Sequence, residues 1–155
     1  MDKNTKKLLS DVNLAIIKIR SAYNAWTRKN NLNYFEMMIF YTMADIENCT
    51  QKTIYESYML PKQSVNNVVT RLKNQGYIFL EPSPDSQREK ILRFTPEGKE
   101  YAKKMMQPLS EIEEESVLEM GREKIDMMTR LADEYGEILQ KLVINDGKSE
   151  NKDEQ

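Results

Sequence analysis

The sequence predicts a mainly α-helical protein that carries one small β-hairpin. Helix-forming residues are plentiful, whereas the 155 residues include only 5 Gly and 5 Pro. Apolar residues recur three and four positions apart along most of the chain, as on one side of a helix. The pattern changes once, between residues 77 and 94, to short runs rich in aromatic and β-branched side chains. The length fits one compact domain, which we expect to span residues 1–155.

The N-terminal part of the chain is predicted to form two helices. Residues 5–30 carry apolar side chains alternately three and four positions apart: Leu9, Val12, Ile16, Ile19, Tyr23 and Trp26. Asn33 and Glu36 have the spacing of a capping box, in which each side chain bonds the backbone N–H of the other residue. They predict the start of a second helix, which carries apolar residues as far as Ile46.

A short third helix and a longer fourth helix are predicted next. Thr50 is the expected cap of the third helix, which continues through Tyr58 and has Ile54 and Tyr58 on its inner side. The fourth helix covers about residues 61–75, because its first residue is a proline and Gly76 supplies a left-handed stop. Two helices joined by so tight a connection have the organisation of a helix-turn-helix.

A β-hairpin and two more helices complete the predicted order. Strands over residues 77–80 and 90–94 flank a turn-rich tip. Thr95-Pro96-Glu97 combines a cap, a proline at the first helical position and an acid in the first turn, so it starts a fifth helix. Gly121 separates this helix from a sixth, whose apolar residues again alternate by three and four: Ile125, Met128, Ala132, Tyr135, Leu139 and Leu142. The polar residues from Asn145 onward are expected to fray.

Composition argues against several classes of function. The chain has no histidine, which removes most zinc sites and the histidine-dependent nucleophile pairs, and it has no phosphate-binding glycine loop. We therefore expect neither an enzyme nor a cofactor or metal. Cys49 is the single cysteine, and we find no long apolar run and no secretion signal, so a cytoplasmic protein without a membrane partner is expected. Cys49 is interpreted as a small buried residue, although nearby helix N-termini could lower its pKa.

Charge is distributed unevenly along the chain. The net charge is −2, yet residues 48–95 contain seven basic and four acidic side chains, a net +3, which leaves −5 for the remainder. A basic middle segment between acidic ends indicates where an anionic partner would bind.

The fourth helix carries the most informative pattern. Its apolar residues Val65, Val68, Val69 and Leu72 form one narrow face, and the opposite face offers amides, a hydroxyl and a guanidinium: Gln63, Asn66, Asn67, Thr70, Arg71 and Asn74. These are the groups that hydrogen-bond to base edges in the major groove of DNA. A solvated surface would explain the face better than DNA binding if it stood alone. The preceding short helix and the basic hairpin that follows favour DNA binding.

Two stretches of the chain resemble the MarR family of winged helix-turn-helix transcriptional regulators. Residues 64–78, SVNNVVTRLKNQGYI, resemble the family's recognition helix and first wing strand, and residues 94–98, FTPEG, resemble its Leu-Thr-x-x-Gly motif. Arg88 stands six residues before Phe94, where the family keeps its wing arginine. The chain departs from the family in having Ser86 where an aspartate usually pairs with that arginine, although Asp85 lies one residue away.

The resemblance implies a homodimer that binds double-stranded DNA, acting as a repressor. Residues 33–95 would form the DNA-binding lobe, while residues 5–30 and 96–145 would supply the dimerisation helices. The two-fold symmetry of such a dimer predicts a palindromic operator with half-sites roughly 10 bp apart.

Specific contacts follow from these expectations. Bases or nearby phosphates are expected to be contacted by Gln63, Ser64, Asn66, Asn67, Thr70 and Arg71. The DNA backbone is expected to be held by Lys52, Lys62, Lys73, Lys90 and Arg93. Arg88 is expected to lie in the minor groove.

Two further alternatives stay open at this stage. Many members of the family respond to small aromatic or anionic effectors, and a crevice for one could be lined by Tyr23, Trp26, Met38 and Tyr41, although ordinary core packing explains the same residues. A protein-interaction module that uses the fold without binding specific DNA is the main rival to a regulator.

Overall fold

The computed structural model describes residues 1–84, 86 and 88–149. Over these residues the elements follow the predicted order: α1 (Lys3–Lys29), α2 (Tyr34–Asp45), α3 (Gln51–Ser57), α4 (Lys62–Asn74), β1 (Ile78–Pro82), β2 (Lys90–Phe94), α5 (Pro96–Met120) and α6 (Arg122–Ser149). The mainly helical fold with one hairpin wing is thereby confirmed. In the described part of the chain, no helix combines the length and apolarity needed to cross a bilayer.

The chain divides into two compact units, Met1–Leu109 and Ser110–Gln155. The first unit contains α1 to α4, the hairpin and the first half of α5, and the second contains the rest of α5 and α6. The narrower division into a lobe over residues 33–95 and flanking dimerisation helices stays a prediction.

The core of the first unit is built from the apolar faces of α2, α3 and α4. The four apolar residues of α4 that the sequence singled out are all buried, with exposed fractions between 0% and 7%: Val65, Val68, Val69 and Leu72. Ile54 of α3 and Ile39 of α2 are fully buried beside them. Burying these side chains removes apolar surface from water and fixes the orientation of α4, so its polar face is left outward.

Helix ends agree with the sequence at most positions and differ at two. The Asn33 side chain caps α2 by accepting from the Phe35 N–H at 2.8 Å, but Glu36 does not complete a capping box, because its side chain is buried and bonds elsewhere. Thr50 caps α3 in a reciprocal box with Thr53. Tyr58 was expected on the inner side of α3 and is instead 38% exposed, because the helix ends one residue before it.

The turn between α3 and α4 is compact. Met59 has a φ of +48°, which is uncommon for a side chain other than glycine, and Leu60 donates its N–H to the Tyr55 carbonyl at 3.0 Å. Pro61 serves as the N-cap of α4 rather than as its first helical residue. Gly76, with a φ of +77°, ends α4 as predicted.

The wing is an antiparallel hairpin that is attached to the helical core. Its register pairs Ile78 with Phe94 and Pro82 with Lys90. On its other edge, the Leu92 N–H donates to the Cys49 carbonyl at 2.8 Å, so the segment between α2 and α3 extends the sheet by a short bridge. Strand β2 is therefore held by backbone bonds on both of its edges, to β1 and to this segment.

A close contact joins the start of the wing to the start of α5. The Thr95 hydroxyl donates to the Gly76 carbonyl at 2.7 Å and accepts from the Gly98 N–H at 2.9 Å. This contact leaves no room at position 98, where a Cβ would lie 1.7 Å from the Tyr77 carbonyl oxygen. Glycine is required there by packing, since only the absence of a side chain lets α5 approach β1.

The C-terminal helices are separated as predicted, but α6 is longer than expected. Gly121, with a φ of +92°, stands between α5 and α6. The sequence predicted fraying from Asn145, whereas α6 remains helical to Ser149. One continuous helix therefore replaces the predicted frayed end over these residues.

We expect Gly98→Ala to lower the free energy of unfolding by about 3 kcal/mol, because the methyl group would collide with backbone that cannot move without disturbing the wing. Gly136→Ala is the matched control, since a Cβ there would meet no atom within 4 Å. In thermal and denaturant unfolding, the control should be as stable as the parent chain or slightly more stable. Equal stability of the two variants would contradict the close approach at position 98.

Candidate nucleic-acid interface

The exposed face of α4 brings together most of the residues that the sequence assigned to base contacts. Gln63, Asn66, Asn67 and Thr70 are all exposed, and Ser64 is half-buried. Their arrangement follows from the burial of the valine and leucine face on the opposite side of the helix. The face is uncharged over these residues and offers donors and acceptors in roughly equal number.

Two of these amides are hydrogen-bonded to each other. The Gln63 Nε2 donates to the Asn67 Oδ1 at 2.8 Å, as the i,i+4 spacing on a helix allows. Nearby, the Lys62 ammonium lies 4.9 Å from the centre of the Tyr55 ring. The first two turns of α4 therefore carry side chains that are already held in place by their neighbours.

Arg71 forms an ion pair with a residue of α2, while 46% of its side chain stays exposed. It donates to the Glu36 Oε2 and forms an ion pair with that carboxylate, whose residue is only 2% exposed. The other Glu36 oxygen, Oε1, accepts from the Tyr101 hydroxyl at 3.2 Å. These bonds join α2, α4 and α5 through the Glu36 carboxylate, and a base contact by Arg71 stays a prediction.

An aromatic cluster surrounds this carboxylate. The Tyr101 ring stacks on Tyr77 with centroids 4.2 Å apart and meets Phe40 edge-on at 5.9 Å. Burial and the adjacent Glu36 carboxylate raise the pKa of Tyr101 to about 12, so its hydroxyl stays a donor throughout the physiological range. Sequence reasoning missed Glu36 as a partner of Arg71 and Tyr101 as a partner of Glu36. The single acid inside the apolar run of α2 was a signal, because a buried carboxylate needs a polar partner.

Arg93 is also engaged within the protein rather than free for the DNA backbone. Its Nε donates to the Glu81 Oε2 at 2.8 Å, and its terminal nitrogens donate to the Asn48 Oδ1 at 3.0 Å and to the Glu47 carbonyl. These bonds tie β2 to β1 and to the segment before α3. Arg93 therefore helps to position the wing, and its contact with the DNA backbone stays a prediction.

The remaining basic residues at or near the wing are all exposed: Lys52, Arg88 and Lys90. The Lys52 ammonium also lies 3.7 Å from a Glu89 carboxylate oxygen. Ser86 accepts from the Arg88 N–H at 3.3 Å, so this side chain shapes the turn where the family usually has an aspartate. The alternative partner suggested for Arg88, Asp85, lies outside the described residues.

A cavity of about 570 Å³ lies in the first unit, between α1, α2 and the turn before α4. Its lining is aromatic and aliphatic with one cation: Ile16, Ile19, Arg20, Tyr23, Tyr34, Phe35, Tyr58, Met59, Leu60 and Pro61. Of the four residues predicted to line an effector crevice, Tyr23 lines this cavity. Met38 is instead buried in the core, and Trp26 and Tyr41 pack against the core.

Cys49 is a buried structural residue. It is 1% exposed, and burial raises the pKa of its thiol to about 12. The favoured interpretation of Cys49 is confirmed over the alternative of a lowered pKa, because desolvation of the thiolate dominates.

Comparisons with known proteins agree with this architecture. A family model described as MarR family matches residues 31–89, which contain α2, α3, α4 and β1 and end just before β2. Among curated protein sequences, none matches the chain.

Solved structures give matches over most of the chain. NMB1585, a MarR family regulator from Neisseria meningitidis, is 28% identical, with a TM-score of 0.79 over 94% of this chain and 99% of that one. NadR in complex with 4-hydroxyphenylacetate is 20% identical, with a TM-score of 0.68 over 79% and 90% of the two chains. Staphylococcus aureus MarR in complex with salicylate and kanamycin is 19% identical, with a TM-score of 0.65 over 89% and 96%. The last two show a shared fold.

Proposed function

We propose that this chain is a MarR family transcriptional regulator, and that it acts as a homodimeric, sequence-specific DNA-binding repressor of palindromic operators. The observation that carries the proposal is the outward face of α4, where Gln63, Asn66, Asn67 and Thr70 are exposed on a helix whose opposite face is buried. Amides and hydroxyls on such a helix can hydrogen-bond to base edges in the major groove.

Exposed cations flank this face and suit the DNA backbone. Lys62 and Lys73 lie at the two ends of α4, and Arg88 and Lys90 lie on the wing. Phosphate contacts supply affinity without sequence preference, whereas base contacts supply the preference. In the proposed complex, α4 enters the major groove and Arg88 reaches the adjacent minor groove.

Exposed apolar side chains support the dimer. In the second unit, α6 exposes a long apolar stripe with exposed fractions between 38% and 60%: Met127, Met128, Leu131, Tyr135, Ile138, Leu139 and Leu142. In the first unit, α1 exposes Leu8, Val12, Ile16 and Ile19 by 40% to 58%. Apolar surfaces of this length are uncommon on monomers, and a second copy of the chain would remove them from water.

A ligand response is a second part of the proposal. The cavity beside the turn before α4 has a volume in the range of small-molecule sites, and Arg20 lies 5.9 Å from the centre of the Tyr34 ring on its wall. A cation among aromatic walls suits an aromatic carboxylate, and the solved complexes of NadR and S. aureus MarR contain 4-hydroxyphenylacetate and salicylate, respectively. Because Met59, Leu60 and Pro61 also line the cavity, a bound ligand would contact the turn that leads into α4.

We expect the purified protein to bind DNA from upstream of its own coding region more tightly than scrambled DNA, with an affinity that falls steeply as salt increases. A dimer that neutralises about six phosphates should lose about a thousandfold in affinity between 50 and 200 mM salt. Fluorescence anisotropy measures both properties. Arg88→Ala should weaken binding, whereas Lys103→Ala, which removes an exposed charge from α5, should not. Salt-independent binding, or none at low salt, would favour the rival interaction module.

We expect the parent chain to have twice its monomer mass in sedimentation equilibrium, and Leu139→Glu to shift this mass toward the monomer. The new carboxylate would have to be buried in the apolar interface without a partner. Gln140→Glu adds the same charge one position along α6 and should leave the mass unchanged. A monomeric parent chain would contradict the dimer.

We expect salicylate or 4-hydroxyphenylacetate to bind the parent chain in a saturable manner by isothermal titration calorimetry. Arg20→Met should weaken this binding at least tenfold, because it removes the cation that faces the carboxylate. Lys18→Met removes a charge two residues away on α1 and serves as the control. Equal affinities of the two variants would place the ligand elsewhere.

A further inference from the structure

We infer that Glu36 sets the base preference of α4 without touching DNA, by withholding Arg71 from the base edges, so that the helix selects A·T pairs through its amides. The inference rests on the proposed function and deepens it, because it names the base pair that the recognition helix selects.

The first step is the state of Arg71. Its guanidinium is paired with the carboxylate of Glu36, which is almost completely buried and is also bonded by Tyr101. Withdrawing Arg71 toward DNA would leave that charge buried without its cation, which is strongly unfavourable. Arginine makes the commonest specific contact to guanine, through its O6 and N7 atoms. In α4, this guanine-reading group is held by the protein itself.

The second step is the set of groups that remain. Arg71 is the one arginine of α4, and Lys62 lies over the Tyr55 ring near its start. The hydrogen bond from Gln63 to Asn67 leaves the Gln63 carbonyl oxygen as an acceptor and the Asn67 amino group as a donor, on adjacent turns of α4. Both residues lie in the first two turns of α4, the part of a recognition helix that meets base edges.

The third step is complementarity. The major-groove edge of adenine offers one acceptor, N7, and one donor, the N6 amino group, whereas guanine offers two acceptors. The donor and acceptor of the Gln63–Asn67 pair match adenine and leave one group unsatisfied against guanine. An unsatisfied polar group at a dry interface costs binding energy, so the paired amides discriminate between the two purines.

The test is selection from duplexes with randomised half-sites, followed by sequencing of the bound DNA. The parent chain should enrich A·T pairs at the positions that α4 contacts. Asn67→Ala should lower the preference for one of those pairs by about tenfold or more. A parent half-site in which the positions sensitive to Asn67→Ala are G·C pairs would overturn the inference. Comparing the parent chain with the Asn67→Ala variant tests the A·T preference without any change to the buried ion pair.

Two further variants test the role of Glu36. The double variant E36Q/R71Q exchanges the ion pair for two amides of similar size, and it should select the same half-site as the parent chain. The single variant E36Q releases Arg71 and should add a guanine preference that the parent chain lacks. A guanine that is selected by the parent chain and lost in E36Q/R71Q would show that Arg71 reads DNA, and would overturn the inference.

The selection also separates the inference from the proposal on which it rests. If the parent chain enriches a half-site in which α4 contacts guanine, the proposed function as a sequence-specific regulator is supported and the inferred role of Glu36 is wrong. If no sequence is enriched, sequence-specific binding fails and the inference fails with it.

Discussion

The buried carboxylate of Glu36 is the polar interaction that joins three helices of the first unit, α2, α4 and α5. It sits in the first turn of α2 and joins the guanidinium of Arg71 on α4 to the hydroxyl of Tyr101 on α5. A charge that is only 2% exposed is tolerated because the cation and the hydroxyl compensate its desolvation. Apolar packing holds α4 against the core, and the Arg71–Glu36 ion pair adds a directional bond to it, while the Tyr101 hydroxyl bonds the other oxygen of the same carboxylate.

The uneven distribution of paired and exposed charges explains how a chain with net charge −2 can offer a basic surface. Three cations near the interface are engaged internally: Arg71 with Glu36, Arg93 with Glu81, and Lys52 with Glu89. The ion pair of Arg71 joins α4 to α2, and that of Arg93 joins β2 to β1. The exposed lysines of α4 and the exposed residues Arg88 and Lys90 of the wing then carry the local excess of positive charge.

Local signals in the sequence were sufficient for the elements, but not for the pairing of side chains between them. The alternation of apolar residues, the caps at Asn33 and Thr50, and the stop at Gly76 each act within a few residues, so they predicted the helices nearly to their ends. The Arg71–Glu36 contact joins residues 35 positions apart, and no local pattern encodes it. Glu36 in fact satisfied the spacing of a capping box, and tertiary burial overrode that local preference.

The candidate site could likewise be predicted where it depends on a single helix, but not where it depends on contacts between elements. The outward amides of α4 follow from helical periodicity, and they are exposed as expected. The engagement of Arg93 and the burial of Met38 depend on how α2 and the wing pack, which composition and spacing do not reveal. Family resemblance supplied the positions of these residues, and the structure supplied their partners.

The inert thiol of Cys49 has a practical consequence for following the molecule in solution. Each copy carries one native sulfhydryl, and its burial and raised pKa keep it almost entirely protonated and shielded from alkylating dyes. A cysteine introduced at an exposed position of the wing would therefore be the one site that takes a fluorophore. In the proposed dimer, the separation of the two wings would then be measurable by energy transfer, without first removing a residue from the core.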